Sequence, residues 1–300
     1  MARLMPFLLT CALNMACEFD THSAVSDERA VRAAEMIIEP ARVATVSPDF
    51  RNLEKLGHWH LDAVLQAYVN ENGGRYENLA LDAEARQLLT DYSLILAGAR
   101  PESMTQPGER IAFWLNAYTA IVLKSLVTLV EETGPDALVS HDDFAIFTKH
   151  RHRVAGFEIT LEELEHLVLR GHAEYPDVKD TPAAIVKVLL QQHRLLFPSG
   201  RFDPRINFAL SFGARGFPPM PIRAYKASTL ETHLEARARA FVNNRAYGVN
   251  ELGISVLFQW FRRDFVDASG SVSNFILSYL QSRDTAFNIH RNLQFDWRVR

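Results

Sequence analysis

Apolar and polar positions recur along this chain with two different periods, and those periods divide it into elements. Leu53–Asn70 and Asp82–Ala97 carry apolar residues at three- and four-residue spacing, which predicts two amphipathic helices joined through the turn Asn72-Gly73-Gly74. Arg110–Glu132 is apolar almost all round: Ile111, Leu115, Tyr118, Val122, Leu126 and Leu129 form one stripe, and Phe113, Trp114 and Ile121 add others. A helix apolar on every side is expected to be buried on every side. Thr160-Leu-Glu-Glu163 reads as a capping box opening a helix through Arg170, and Ser228-Thr-Leu-Glu231 as a second one opening a helix through Val242. Phe144–Ile159 reads as a hairpin. Period two appears in Ile206–Phe212, where bulky residues alternate with Asn207, Ala209 and Ser211, and again in Leu293–Val299, so both are predicted as strands.

Helices and strands are partly segregated along the chain, which predicts an α+β fold, a helix-rich N-terminal half packed on a small antiparallel or mixed sheet. Residues 49–300 show no internal repeat or low-complexity linker and read as a single main domain. Residues 1–48 read as an arm with a short helix near Glu28–Ile38. Its first stretch, Met1 to Cys17, has one positive charge and a short apolar run. It can be read as a secretory signal with Cys17 as a lipidated residue, or as a short apolar helix packing on the domain. Arg3 is a thin charged region and Asn14 a poor residue before such a cleavage site, so a cytoplasmic chain is favoured over an exported or lipid-anchored one. No other run reaches the roughly 18 apolar residues that a membrane span needs, and no transmembrane segment is expected.

Composition narrows the chemistry. With 48% hydrophobic residues and a formal charge of −4, the chain is neither disordered nor basic enough as a whole to suggest nucleic acid as a partner. Its two cysteines are Cys11 and Cys17, and everything from Glu18 to Arg300 is cysteine-free. A disulfide framework, a zinc–thiolate site and a cysteine nucleophile are thereby excluded from the body. The pairs His58/His60 and His150/His152 have metal-ligand spacing but lack an evident acidic third ligand, so no metal is expected. Glycine-rich phosphate loops and serine-nucleophile elbows are absent, and no cofactor is expected.

Three segments carry a family resemblance: Arg110-Ile-Ala-Phe-Trp-Leu-Asn-Ala-Tyr-Thr-Ala120, Leu161–Arg170, and Asp203–Pro219 with its Gly213-Ala-Arg-Gly216 turn. Weaker echoes lie at Leu61–Gly74, Ala224-Tyr225, Phe258–Phe265 and Phe295-Asp-Trp297. In this order, over roughly residues 53–297, they resemble the domain-of-unknown-function-547 family. That resemblance implies a fold unit and site positions without a reaction. It also implies that relatives usually carry His where this chain has Asn207, Cys at the places of Phe212 and Phe217, and a second Asn at Thr119. Thiol chemistry is therefore not expected here.

Among the candidate site residues, Arg215 sits in a loop fed by a predicted strand end, and its guanidinium could hold a carboxylate or phosphate, or could bond loop carbonyls. Asn116, inside the most apolar helix, either pins that helix to a neighbour or faces a pocket. Glu165 borders the Leu161, Leu164, Val168 stripe, where a carboxylate serves as an acid or base, or pairs with Arg205 or Arg215. On a regular helical wheel Glu162, Glu163, His166 and Arg170 fall towards the other side, and His166 stays a candidate through the resemblance. Asn207, Ser211, Phe212, Phe217, Trp114, Tyr118 and Met220 would shape a pocket. The expectation is a non-covalent enzyme of cyclase, isomerase or lyase type, with Glu165 moving a proton and Arg215 and Asn116 orienting a small, largely apolar ligand by an anionic or carbonyl handle. The rival expectation is an inactive binding or scaffold domain whose pocket Phe212 and Phe217 themselves fill. Oligomeric state is left open.

Overall fold

A computed structural model of the chain describes residues 58–175, 178–282 and 287–300. The expectations for the arm, the signal-like stretch and the start of the first helix lie outside the described residues. Within them the fold is α+β and helix-rich, with three separate two-stranded antiparallel ribbons in place of one sheet. In chain order it runs α1 (Trp59–Tyr68), β1 (Val69–Asn70), β2 (Gly73–Gly74), α2 (Tyr76–Leu81), α3 (Ala83–Gly98) and α4 (Pro107–Thr133). Next come β3 (His152–Val154), β4 (Phe157–Ile159), α5 (Ala183–Leu196), α6 (Leu230–Val242), β5 (Val249–Asn250), β6 (Gly253–Ile254), α7 (Arg262–Ser269) and α8 (Val272–Tyr279).

Local chemistry explains several of these boundaries. Asp82 caps α3 by accepting from the Ala85 N–H at 3.0 Å. Pro107 opens α4, and the Glu109 carboxylate reaches back to the N–H groups of Thr105 and Gln106. Ala155 and Gly156, both at positive φ, form the tight turn between β3 and β4. α4 is the axis of the molecule. It is long and apolar enough to cross a membrane, yet 89% of its most apolar window lies buried within the protein. Around it one apolar core runs from Leu61 to Val299. At one end Phe208 sits against Phe241, Phe258, Phe265 and Phe275, each at a centroid distance of 5.0–5.9 Å.

Four expectations fail, each for a physical reason. Ile206–Ala209 is a helical turn and only Leu210 onward is extended. Residues 206–209 are all buried, so alternating bulk there does not mark two faces. The governing signal is Asp203-Pro204, whose carboxylate accepts from the Arg205 N–H at 3.0 Å and starts the turn. The hairpin begins later than expected, because Ala145–Thr148 is a helical turn. Ser228–Glu231 is not a capping box: Ala227–Thr229 is a 3₁₀ turn, and the Glu231 carboxylate pairs with Arg205 instead, at 2.5 and 2.9 Å. Finally, the segment 293–299 is not a strand of any of the three ribbons, and meets one only where the Leu293 N–H donates to the Ile254 carbonyl of β6 at 2.8 Å. It runs extended between two stretches of irregular backbone, bridging Leu138 through Arg298 and Ala214 through Val299.

Phe208→Ala is expected to lower stability by roughly 3–5 kcal/mol, read as a fall in the urea midpoint. A cost under about 1 kcal/mol would mean that this aromatic cluster does not organise the core.

Candidate functional site

The segment Leu161–Arg170 begins as the sequence implies. Glu163 N–H donates to Thr160 Oγ1 at 3.1 Å, and Thr160 N–H donates to the Glu163 carboxylate at 3.0 Å. One turn later the ladder widens: Leu164–Leu169 is π-helical, and the Arg170 N–H donates to the Glu165 carbonyl at 2.9 Å. A π-turn carries one extra residue and rotates the side chains beyond it. Glu163, His166 and Arg170, expected on the outer side of a regular wheel, are all buried, as is Glu165; Glu163 precedes the π-turn, so only the positions within and beyond it are redirected by the extra residue.

Two polar groups meet at this turn. In the first, the Tyr118 hydroxyl from α4 donates to Glu165 Oε2 at 3.1 Å. Burial, then the Glu165 charge, holds that hydroxyl well above its ordinary pKa, so it stays a donor. The His166 ring stacks on Tyr175 at 4.3 Å, and burial together with the Arg170 and His172 charges holds its pKa well below the usual value. It is a neutral imidazole at neutral pH.

The second group is an ion pair without any solvent exposure. Arg170 Nη2 lies 2.6 Å from Asp264 Oδ2, contributed by α7. Asn207, from the turn 206–209, bridges the two: its amide oxygen accepts from Arg170, and its Nδ2 donates to Asp264 at 2.9 Å. The guanidinium lies over the Phe261 ring at 3.7 Å and donates to the Tyr175 hydroxyl at 3.1 Å. His172 closes the outer side, with Nε2 3.5 Å from Asp264 Oδ1 and Nδ1 2.9 Å from Glu174. Burial pushes the His172 pKa down, but its bonds to Asp264 and Glu174 outweigh that, and the net shift is upward. The charges of Arg170, Asp264 and Glu165 all act on the Tyr175 hydroxyl, which makes the two groups one electrostatic neighbourhood.

The remaining candidates lie in other places. Both halves of the Asn116 amide engage the Tyr225 backbone, Nδ2 donating to its carbonyl at 2.8 Å and Oδ1 accepting from its N–H at 2.7 Å. Trp114 is fully buried, edge-on to Phe113, and Met220 is buried too. Arg215 is exposed, and its Nε donates to the Val299 carbonyl at 3.2 Å. Ser211 Oγ accepts from the Gly213 N–H at 3.2 Å, within its own loop. Phe212 and Phe217 stack face to face at 4.0 Å and 9°, with Phe147 against the first and Phe295 against the second. One surface cleft of about 340 Å³ lies beside Arg86 and Thr90, and another of about 260 Å³ beside Arg262 and His290. None of the candidate residues lines either.

The structure thus gathers Glu165, Tyr118, His166 and Asn207 around one polar centre and leaves Asn116, Arg215, Ser211, Phe212, Phe217 and Trp114 outside its bonds. Reading by residue type misses Arg170, Asp264, Tyr175 and His172. Arg170 closes one family-like segment and Asp264 lies in another, Phe258–Phe265, so the sequence marks their segments but not their pairing.

Two outcomes are expected. Asp264→Ala leaves the Arg170 charge buried and uncompensated and should cost roughly 3–5 kcal/mol, whereas Arg170→Met with Asp264→Leu recovers most of that loss. Urea midpoints of both variants check this, and equal losses would contradict it. Folding holds the pKa values of His58 and His152 down to about 4, chiefly by burial. The unfolded chain therefore binds more protons between pH 6.5 and 4, and stability falls as pH is lowered through that window. A urea midpoint as high at pH 4.5 as at pH 7 would contradict this.

No curated protein and no solved structure matches the chain. Residues 101–242 match the family model described as "Protein of unknown function, DUF547", a stretch that takes in α4, the π-turn, Asn207, the Gly213–Gly216 turn and α6. Asp264 lies beyond it, so the buried ion pair ties the matched segment to the rest of the fold. The resemblance carried by the sequence is thus shown over residues 101–242, which match the DUF547 family model.

Proposed function

We propose that this chain is a binding or scaffold domain of the DUF547 type whose inherited centre has been converted into structure. The observation that carries this reading is the stack of Phe212 on Phe217. At these two places the resemblance implies cysteines, and two rings at van der Waals separation fill the volume that a substrate would need beside them. Asn207 supports it, standing where relatives carry a titratable His. Its amide cannot exchange protons and instead bonds both members of the Arg170–Asp264 pair.

The non-covalent cyclase, isomerase or lyase reading keeps one supporting observation: the Tyr118–Glu165 contact, a buried acid beside a hydroxyl at a π-turn. Its other two roles fall on groups already engaged, Asn116 with Tyr225 and Arg215 with Val299. The filled-site reading is therefore preferred.

Indole binding tests it. Wild-type protein is expected to give no heat of binding with indole, because on this reading the Phe212–Phe217 stack occupies that place. Phe217→Ala is expected to lose roughly 3–5 kcal/mol of stability and to gain indole binding in the space vacated, since apolar cavities accept apolar guests. Indole binding to the wild type, with chemical-shift changes centred on Phe212 and Phe217, would overturn the reading.

A further inference from the structure

Between β6, the helical turn Leu257–Trp260 and the first residues of α7 and α8 lies the cleft of about 260 Å³, with residues 289–292 as its remaining wall. Its floor is apolar, since Ile254, Phe258 and Val272 line it and are buried in the core. Phe258 belongs to the aromatic cluster around Phe208, at a centroid distance of 5.9 Å, so this floor is firmly packed. The outer wall is tied down as well. Ile254 N–H donates to the Arg291 carbonyl at 2.9 Å, and the Ile254 carbonyl accepts from the Leu293 N–H at 2.8 Å. Asn292 Nδ2 donates to Gln259 Oε1 across the cleft. A hollow held in this way is formed before any ligand arrives.

The charge in this cleft is of one sign. Arg262, exposed at the start of α7, makes no ion pair or side-chain hydrogen bond among the described residues, whereas the next residue, Arg263, pairs with Glu174 and Asp267. The bond from Asn292 takes up the Gln259 oxygen and leaves Gln259 Nε2 as a donor. His290 adds an imidazole, and no carboxylate lines the cleft among the described residues. The cleft of about 340 Å³ shows the contrast. Its arginine, Arg86, is already engaged by the Glu131 carboxylate at 2.9 Å and the Ala80 carbonyl at 3.0 Å. A cation left unpaired at the edge of an apolar floor attracts an anion more strongly than one in open water, because the effective dielectric there is lower. The planar guanidinium suits a carboxylate through two parallel bonds. A single fixed cation also balances a single negative charge, which favours a carboxylate over a phosphate dianion.

We propose that this cleft binds a small organic carboxylate, its charge on Arg262 and Gln259 Nε2 and its apolar body against Ile254, Val272 and Ile289. The volume limits the guest. The cleft is smaller than the roughly 300–1,000 Å³ of pockets that take drug-sized ligands, so the apolar body is confined to one ring or a short branched chain. None of the lining residues belongs to the Phe212–Phe217 stack, and the proposal stands independently of the filled-site reading.

Benzoate tests it, with benzamide as the neutral analogue of the same shape and the methyl signals of Ile254, Val272 and Ile289 as the readout. The wild-type chain is expected to show saturable shifts centred on these methyls with benzoate, and to bind benzamide about tenfold more weakly or worse. Arg262→Gln removes the charge from an exposed side chain and is expected to lower benzoate affinity about tenfold. Arg263→Gln, one residue on, loses only exposed ion pairs and is expected to bind benzoate within about twofold of the wild type. Equal binding of benzoate and benzamide, unchanged affinity in Arg262→Gln, an equal loss in both arginine variants, or the absence of shifts at these methyls would overturn the proposal. Benzoate shifts centred instead on Phe212 and Phe217 would overturn it and count against the filled-site reading too, so the two failures are distinguishable.

Discussion

Arg170 and Asp264 are opposite charges removed entirely from water, and such charges persist only while each compensates the other. That constraint reaches into three elements. The π-turn rotates Arg170 inward, the turn 206–209 delivers Asn207 between the partners, and α7 presents Asp264. The flat face of the guanidinium rests on Phe261, and its edge reaches the Tyr175 hydroxyl. Directional bonds among buried groups tolerate little displacement, so this pair sets how the family segment meets the helices beyond it.

On the proposed reading, this centre is a site retained in position while its chemistry is altered. Tyr118, Glu165 and His166 remain close to the ion pair, yet the neighbouring loop is closed by Phe212 on Phe217. On that reading, aromatic stacking replaces a titratable surface by a rigid one.

The features legible along the chain are those that local chemistry determines. Asp82 begins a helix because its carboxylate meets the Ala85 N–H, and Thr160 with Glu163 forms a capping box because both groups lie within three residues. The all-apolar surface of α4 announces burial on every side, and the β3–β4 hairpin is set by its turn. Over residues 206–209 alternating size imitates alternating faces, so a helical turn reads as a strand. The wheel drawn through His166 and Arg170 fails because a regular period cannot show an extra residue in one turn.

Sequence by itself determined the helical frame, the absence of thiols from residue 18 onward and the family segment 101–242. Tertiary structure alone decided where the buried charges pair, which way the π-turn points them, and that two phenylalanines face each other across a glycine turn. Arg170 and Asn207 are 37 residues apart, and Asn207 and Asp264 are 57 apart. No local period or cap couples residues at such separations. Their pairing emerges only when the core closes and each buried polar group takes the partner that folding brings within reach.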